Sequence, residues 1–158
     1  MLIVTDKAAP VGELRVFVPL AFYWPNLLKL IEGLNDEGFM PVLFAEGAYD
    51  SRLEVLAASL SPRNSVWFFD RTDMARAKET VGRVACLQGS VPLSLLHAGT
   101  PGEVEAYCRG LIDTAGAGGG FLLDMGAVMH QGNDENLHAM LRTARDYGVY
   151  RRPTCTNS

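Results

Sequence analysis

The chain has 158 residues, 48% of them hydrophobic and 20% charged, with a formal net charge of −4. This excludes a disordered chain and is enough for one domain with its own core. An acidic balance without a basic cluster argues against a nucleic-acid surface, and no apolar run reaches membrane-spanning length.

The opening Met1-Leu-Ile-Val-Thr-Asp-Lys7 lacks the charged-then-apolar order of a signal peptide, so a cytoplasmic location is expected. Residues 1–20 otherwise resist assignment. Leu14-Arg-Val-Phe-Val-Pro-Leu20 reads as a short strand that Pro19 pushes to an edge or a linker. From Tyr23 a helix is expected, because Trp24, Leu27, Leu28, Ile31 and Leu34 recur at helical spacing, with Pro25 in its first turn and Gly38 past its end.

Phe39-Met-Pro-Val-Leu-Phe-Ala45 reads as a buried strand and Glu46-Gly-Ala-Tyr49 as its exit loop. Asp50 is then expected to cap a helix with Leu53, Leu56, Ala57 and Leu60 on one face. Val66-Trp-Phe-Phe69 is the next strand, and Thr72 or Asp73 caps a helix running to Val81. A third strand is expected over 84–88, leaving through Gly89 and Ser90.

Val91 to Gly99 reads as strand end and loop. Thr100-Pro-Gly-Glu103 is a capping box that opens a helix with Val104, Tyr107, Cys108, Leu111, Ile112 and Ala115 inward. The glycines Gly118 to Gly120 form a tight turn into the fourth strand, Phe121-Leu-Leu123. A last helix turns Leu137, Met140, Leu141 and Ala144 inward and ends at Gly148; the tail from Arg151 to Ser158 is expected to be loose. The domain is thus 21–150, between an N-terminal segment 1–20 and a tail 151–158. Cys86, Cys108 and Cys155 form no metal-type pair and read as free thiols.

Short apolar strands alternating with helices fit a parallel sheet, either doubly wound or part of a (β/α)8 barrel. No phosphate-binding fingerprint follows the first strand. In either arrangement a site forms at the carboxyl ends of the strands. Glu46 stands just past an apolar strand and is a candidate metal ligand or general base; the alternative is that it only bonds its loop or Arg52. Tyr49, Arg52, Asp70, Gln88 and Asp124 are candidate substrate contacts, and His130 and His97 are candidate loop histidines, whereas His138 falls on a polar helix face.

Phe22-Tyr-Trp-Pro25, Leu43-Phe-Ala-Glu-Gly47, Asp70-Arg-Thr-Asp73, Val91-Pro-Leu-Ser-Leu-Leu96, Gly99-Thr-Pro101 and Gly118-Gly-Gly-Phe121 resemble the uroporphyrinogen decarboxylase superfamily. The resemblance covers roughly residues 21–150. It implies the C-terminal half of a (β/α)8 barrel, about four parallel strands, completed by a homodimer or by a partner chain that supplies the other half. It is closest to methyltransferase-like members, which implies a corrinoid-bound methyl donor on a corrinoid protein and a zinc ion. The alternatives it leaves are a tetrapyrrole decarboxylase of porphyrin biosynthesis and a non-catalytic half-barrel subunit. The zinc ligands of those methyltransferases fall here on Phe44, Glu46 and Ala127, and the decarboxylase histidine falls about at Ala127, with His130 three residues on. Phenylalanine and alanine bind no zinc, so of that ligand set only Glu46 carries over.

Overall fold

The computed structural model describes residues 2–5 and 20–150. Strand β1 (Leu2–Thr5) precedes helix α1 (Leu20–Asp36), and β2 (Val42–Glu46) leads through a 3₁₀ turn (Asp50–Arg52) into α2 (Leu53–Ser59). Then follow β3 (Val66–Phe69), α3 (Met74–Thr80), β4 (Cys86–Val91), α4 (Leu93–Ala98), α5 (Pro101–Ala115), β5 (Phe121–Met125) and α6 (Asp134–Tyr147). The five strands form one parallel sheet in sequential order β1-β2-β3-β4-β5.

That order decides between the two architectures. A doubly wound sheet reverses its strand order at a switch point and carries helices on both faces. Sequential order with right-handed crossovers places the helices on one face, as in an arc of a (β/α) barrel. The packing agrees. The aligned row Leu43, Trp67, Leu87 and Phe121 lies in a single core with Leu27 and Ile31 of α1, Leu56 of α2, Ala77 of α3, Val104 of α5 and Met140 of α6. The neighbouring row Phe44, Phe68, Gln88 and Leu122 faces the other way and takes no part in that core.

β1 adds a fifth strand to the expected four. Its Leu2 to Thr5 pair with Leu43 to Glu46, so residues near the start of the chain cover the β2 edge. The expected strand at 14–20 lies outside the described residues up to position 19, and Leu20 begins α1. The tail 151–158 also lies outside them. Helix α1 starts about a turn before Tyr23, leaving Pro25 inside it.

β4 runs on to Val91, because Gly89 belongs to the strand and does not end it. Its φ is +119°, and a Cβ there would sit 2.4 Å from the Phe69 carbonyl oxygen. The glycine therefore permits a close approach of backbones, a need that reads in sequence like a turn. Gly118, Gly119 and Gly120 do make a turn, with φ of +75°, +86° and +71°, at the amino end of β5. Lys78 Nζ donates to the Gly119 carbonyl at 2.6 Å and fastens this turn to α3. Partial burial pulls the Lys78 pKa below the usual lysine range.

The capping box of α5 forms as expected: the Glu103 amide donates to Thr100 Oγ1 at 3.3 Å and the Thr100 amide to Glu103 Oε2 at 2.8 Å. Those bonds hold the Glu103 carboxyl below its ordinary range. Asp73 caps α3 by accepting from the Ala75 and Arg76 amides. Cys108 is fully buried under α5, and burial pushes its thiol up to about 11.

Two expectations fail. The segment expected to be a loop after Val91 contains α4, whose Leu96 is fully buried. Helix α6 is also turned by one residue: Asn136, Ala139, Met140 and Thr143 face inward, while Leu141 is 62% exposed. Both departures have the same cause. The Asn136 side chain, with no exposed surface, donates Nδ2 to the carbonyls of Leu95, Leu96 and Gly99 at 3.4, 3.2 and 2.8 Å. Of these carbonyls at the end of α4, that of Leu95 also accepts from the Gly99 amide at 2.9 Å and that of Leu96 from the Asn133 amide at 3.2 Å. A six-residue helix is marginal by itself and is completed here by a side chain from another helix.

Asn136→Ala takes the side-chain donor from the Gly99 carbonyl, while the Leu95 and Leu96 carbonyls keep the Gly99 and Asn133 amides, and should cost roughly 1–3 kcal/mol. His138→Ala, on the exposed side of the same helix, should leave stability within about 0.5 kcal/mol. Urea unfolding followed by circular dichroism measures both.

Candidate active site at the carboxyl ends of the strands

The loops after β2 and β3 are held together by four hydrogen bonds. The Gly47 amide donates to Asp70 Oδ2 at 3.2 Å, and the Arg71 amide returns to the Gly47 carbonyl at 3.1 Å. The Tyr49 amide donates to Thr72 Oγ1 at 3.0 Å, and the Asp73 amide to Asp50 Oδ1 at 3.0 Å. Asp50 thus caps no helix of its own. It accepts from the next loop, and α2 begins behind Arg52 without a side-chain cap. Arg76 adds an exposed ion pair with Glu54 at 2.6 Å, which lowers the Glu54 pKa and raises that of Arg76.

Asp70 sits at the centre of this arrangement. Its Oδ2 also lies 3.5 Å from Arg71 Nε, and Gly126 of the loop after β5 packs against its carbonyl. Gly126 in turn donates to the Val91 carbonyl at 2.8 Å, so the loops after β2, β3 and β5 meet at Asp70. A cleft of about 520 Å³ opens beside it, lined among others by Asp50, Asp70, Arg71, Thr72, Ser90 and Tyr107. Tyr107 was expected in the core; it is 40% exposed, and burial of the remainder raises its pKa.

On the face without helices, Gln88 of β4 and Asp124 of β5 are joined: Gln88 Nε2 donates to Asp124 Oδ2 at 2.6 Å. The other carboxylate oxygen accepts from the Met125 amide at 2.8 Å. Ser90, 5% exposed, is aligned with Asp124 in the strand register. Below them the rings of Phe44 and Phe68 pack with centroids 4.7 Å apart. Glu46 ends β2, aligned with Thr5 of β1 and exposed to solvent.

The residues singled out in the sequence therefore separate into groups. Gln88 and Asp124 are in direct contact. Asp70 ties loops together at the cleft. Tyr49 is buried against Phe69 on the helix-covered side, with the Arg52 guanidinium 5.2 Å from its ring centre. His130 is exposed in the loop after β5, His97 is exposed on α4 and His138 on α6. Among the described residues no group of three or more His, Cys, Asp or Glu is placed to hold a metal ion, so Glu46 has no partners there for a metal centre. Ser90 was read only as part of a strand exit and Thr72 only as a possible helix cap, neither as a site residue. Small hydroxyl residues beside turn glycines and aspartates carry no periodic signal, and their positions become meaningful only when strands are aligned.

The family model described as "Uroporphyrinogen decarboxylase (URO-D)" matches residues 20–147. A uroporphyrinogen decarboxylase from Erwinia tasmaniensis is 33% identical over 117 residues, which is 71% of this chain and 32% of that protein. A methyltransferase from Methanosarcina mazei has a similar structure, with a TM-score of 0.66 at 18% identity, over 82% of this chain and 36% of the other. The chain spans about a third of the length of each. At that identity the second likeness concerns the fold alone.

The loop junction generates a contrast. Thr72→Val keeps the shape but leaves the Tyr49 amide without an acceptor in a buried setting, and should cost about 1–2 kcal/mol. Arg76→Ala removes only a solvent-exposed pair and should leave the thermal midpoint unchanged. Differential scanning calorimetry on both variants distinguishes the buried tie from the surface one.

Proposed function

Because this chain belongs to the uroporphyrinogen decarboxylase family, we propose that the sheet face its helices leave uncovered serves methyl or one-carbon transfer linked to a corrinoid carried by a separate protein. The observation that carries this reading is the Gln88–Asp124 pair at the carboxyl ends of β4 and β5. Gln88 spends one N–H on Asp124, which leaves its carbonyl and second N–H to orient a polar group of a substrate. Asp124 is fixed from two sides, by Gln88 and by the Met125 amide, and presents a carboxylate of defined direction. Phe44 and Phe68, each 5% exposed, pack together behind this pair and support it.

Glu46 takes the role of general base, holding the proton that the acceptor group releases as it is methylated. Its exposure at the strand end leaves it accessible to substrate. Asp70 keeps the loops of β2, β3 and β5 in place around them. Carboxylates at 46, 70 and 124 give the rim a negative character that suits a neutral or cationic methylated small molecule and opposes a polycarboxylate. The zinc set of the related methyltransferases does not fit, with phenylalanine at 44 and alanine at 127. The chemistry assigned to this chain is therefore binding, orientation and proton transfer. The chain spans about a third of its relatives' length, and the proposal places its site within a larger barrel that further strands complete.

Decarboxylation of a tetrapyrrole is the second reading, favoured by the 33% identity to the Erwinia tasmaniensis decarboxylase. Methylcobalamin demethylation, followed by absorbance with a thiol or phenol acceptor, tests the first. Glu46→Gln should lower that rate about a hundredfold, the lower end of what a positioned acid–base group contributes, and Gln88→Leu about tenfold, the loss of one orienting hydrogen bond. Unchanged rates would remove both residues from the mechanism. Release of CO₂ from uroporphyrinogen without any methyl transfer would replace the first reading with the second.

A further inference from the structure

The cleft beside Asp70 lies over the ends of β3 and β4, two strands that each have a neighbour on both sides. Its lining includes Asp73 at the start of α3, Leu93 and Ser94 at the start of α4, and Tyr107 of α5. Its volume of about 520 Å³ falls within the range of small-molecule sites. The reading above uses Gln88, Asp124 and Glu46 and leaves this cleft without an occupant.

Three carboxylates line it, and each commits one oxygen to the chain. Asp50 Oδ1 accepts from the Asp73 amide, Asp73 Oδ1 from the Ala75 and Arg76 amides, and Asp70 Oδ2 from the Gly47 amide. The second oxygen of each accepts no hydrogen bond among the described residues. One guanidinium shares the lining: Arg71, whose side chain is 77% exposed and lies 3.5 Å from Asp70 Oδ2. The neighbouring Arg76 is committed to Glu54 at 2.6 Å. Three negative charges against one positive make the cleft a place for a cation. Ser90 is the independent observation. It is 5% exposed and borders the cleft, and its hydroxyl makes no hydrogen bond among the described residues. Buried hydroxyls ordinarily have a partner, and a ligand in the cleft would supply it. Pro92, Leu93 and the 40% exposed Tyr107 ring give the same cleft an apolar wall.

We infer that this cleft binds a protonated primary amine carried on a short alkyl chain. An ammonium group has three donors and no acceptor, which matches a lining of free carboxylate oxygens and a hydroxyl that can accept. Charge-assisted bonds to Asp50, Asp70 and Asp73 hold the head, and Ser90 Oγ accepts one of its N–H groups. The alkyl chain lies along Pro92 and Leu93, with the Tyr107 ring beside the cation. An anion would meet three carboxylates there. The inference stands on the cleft alone and does not depend on methyl transfer, since binding is measured without a methyl donor.

Isothermal titration calorimetry of the chain with butylammonium chloride tests this, with sodium chloride at equal ionic strength as the blank. Saturable binding is expected for butylammonium. Asp50→Asn removes the charge while its side-chain oxygen still accepts from the Asp73 amide, and should weaken binding about tenfold, as should Ser90→Ala. Tyr107→Leu should weaken it severalfold, and Tyr107→Phe, which keeps the ring, should bind as wild type. Circular dichroism of each variant confirms that the fold is retained. A ¹H–¹⁵N titration of the wild type reads the site without any substitution, with shifts expected at the Arg71, Thr72, Ser90 and Leu93 amides. The inference is overturned by the absence of saturable binding, or by wild-type shifts that lie away from these amides. It is equally overturned by binding that Asp50→Asn and Ser90→Ala leave unchanged, or by inorganic phosphate binding in the cleft where butylammonium does not.

Discussion

The row Leu43, Trp67, Leu87 and Phe121 is the constraint on which the rest of the structure depends. All four side chains point to the same side of a parallel sheet, none is more than 6% exposed, and every helix from α1 to α6 contributes to the layer that covers them. The described helices cover one side of the sheet, and the two-residue period of a strand fixes which residues lie on the other. Leu43, Trp67 and Leu87 facing the helices means Phe44, Phe68 and Gln88 face away. The candidate site follows from burial elsewhere.

The carboxyl ends of the strands are then organised by polar groups whose bonds run between loops. Asp70, Asp50 and Thr72 each accept an amide from a different segment, and Gln88 ties Asp124 to the neighbouring strand. Buried polar atoms that lose a partner are costly, so such ties hold the loops in one arrangement. The single-sided core, the loop junction and the Gln88–Asp124 pair form a sequence of dependence: the core sets the sheet, the sheet sets the register, and the register brings those side chains together.

Much of the fold was legible from spacing. Strands β2, β3 and β5, the capping box of Thr100 and Glu103, and the cap at Asp73 appear where short apolar runs and capping residues indicated. What was not legible depended on contacts between distant residues. The inward stripe of α6 keeps helical spacing, but two of its members are Asn136 and Thr143, so hydropathy selected a stripe shifted by one residue. Helix α4 was read as loop because its end is completed by Asn136, some forty positions later. Gly89 looked like a strand exit because a glycine needed for backbone approach and a glycine needed for a turn are the same letter. β1 is four residues long and is recognisable only beside β2. Of the site, the residue types at the strand ends were legible, while the pairing of Gln88 with Asp124 and the burial of Tyr49 required the register.

The central claim is that ligand binds on the uncovered sheet face at the carboxyl ends of β4 and β5. The most direct measurement is a two-dimensional ¹H–¹⁵N spectrum of the labelled chain, titrated with methylcobalamin. The account predicts shifts concentrated on the Gln88 side-chain amide and on the backbone amides of Glu46, Ser90, Asp124 and Met125, with Gly118 to Gly120 and the outer helices unmoved. Shifts centred on the glycine turn or on the helix layer, or no shifts at the Gln88 amide at saturation, would contradict it.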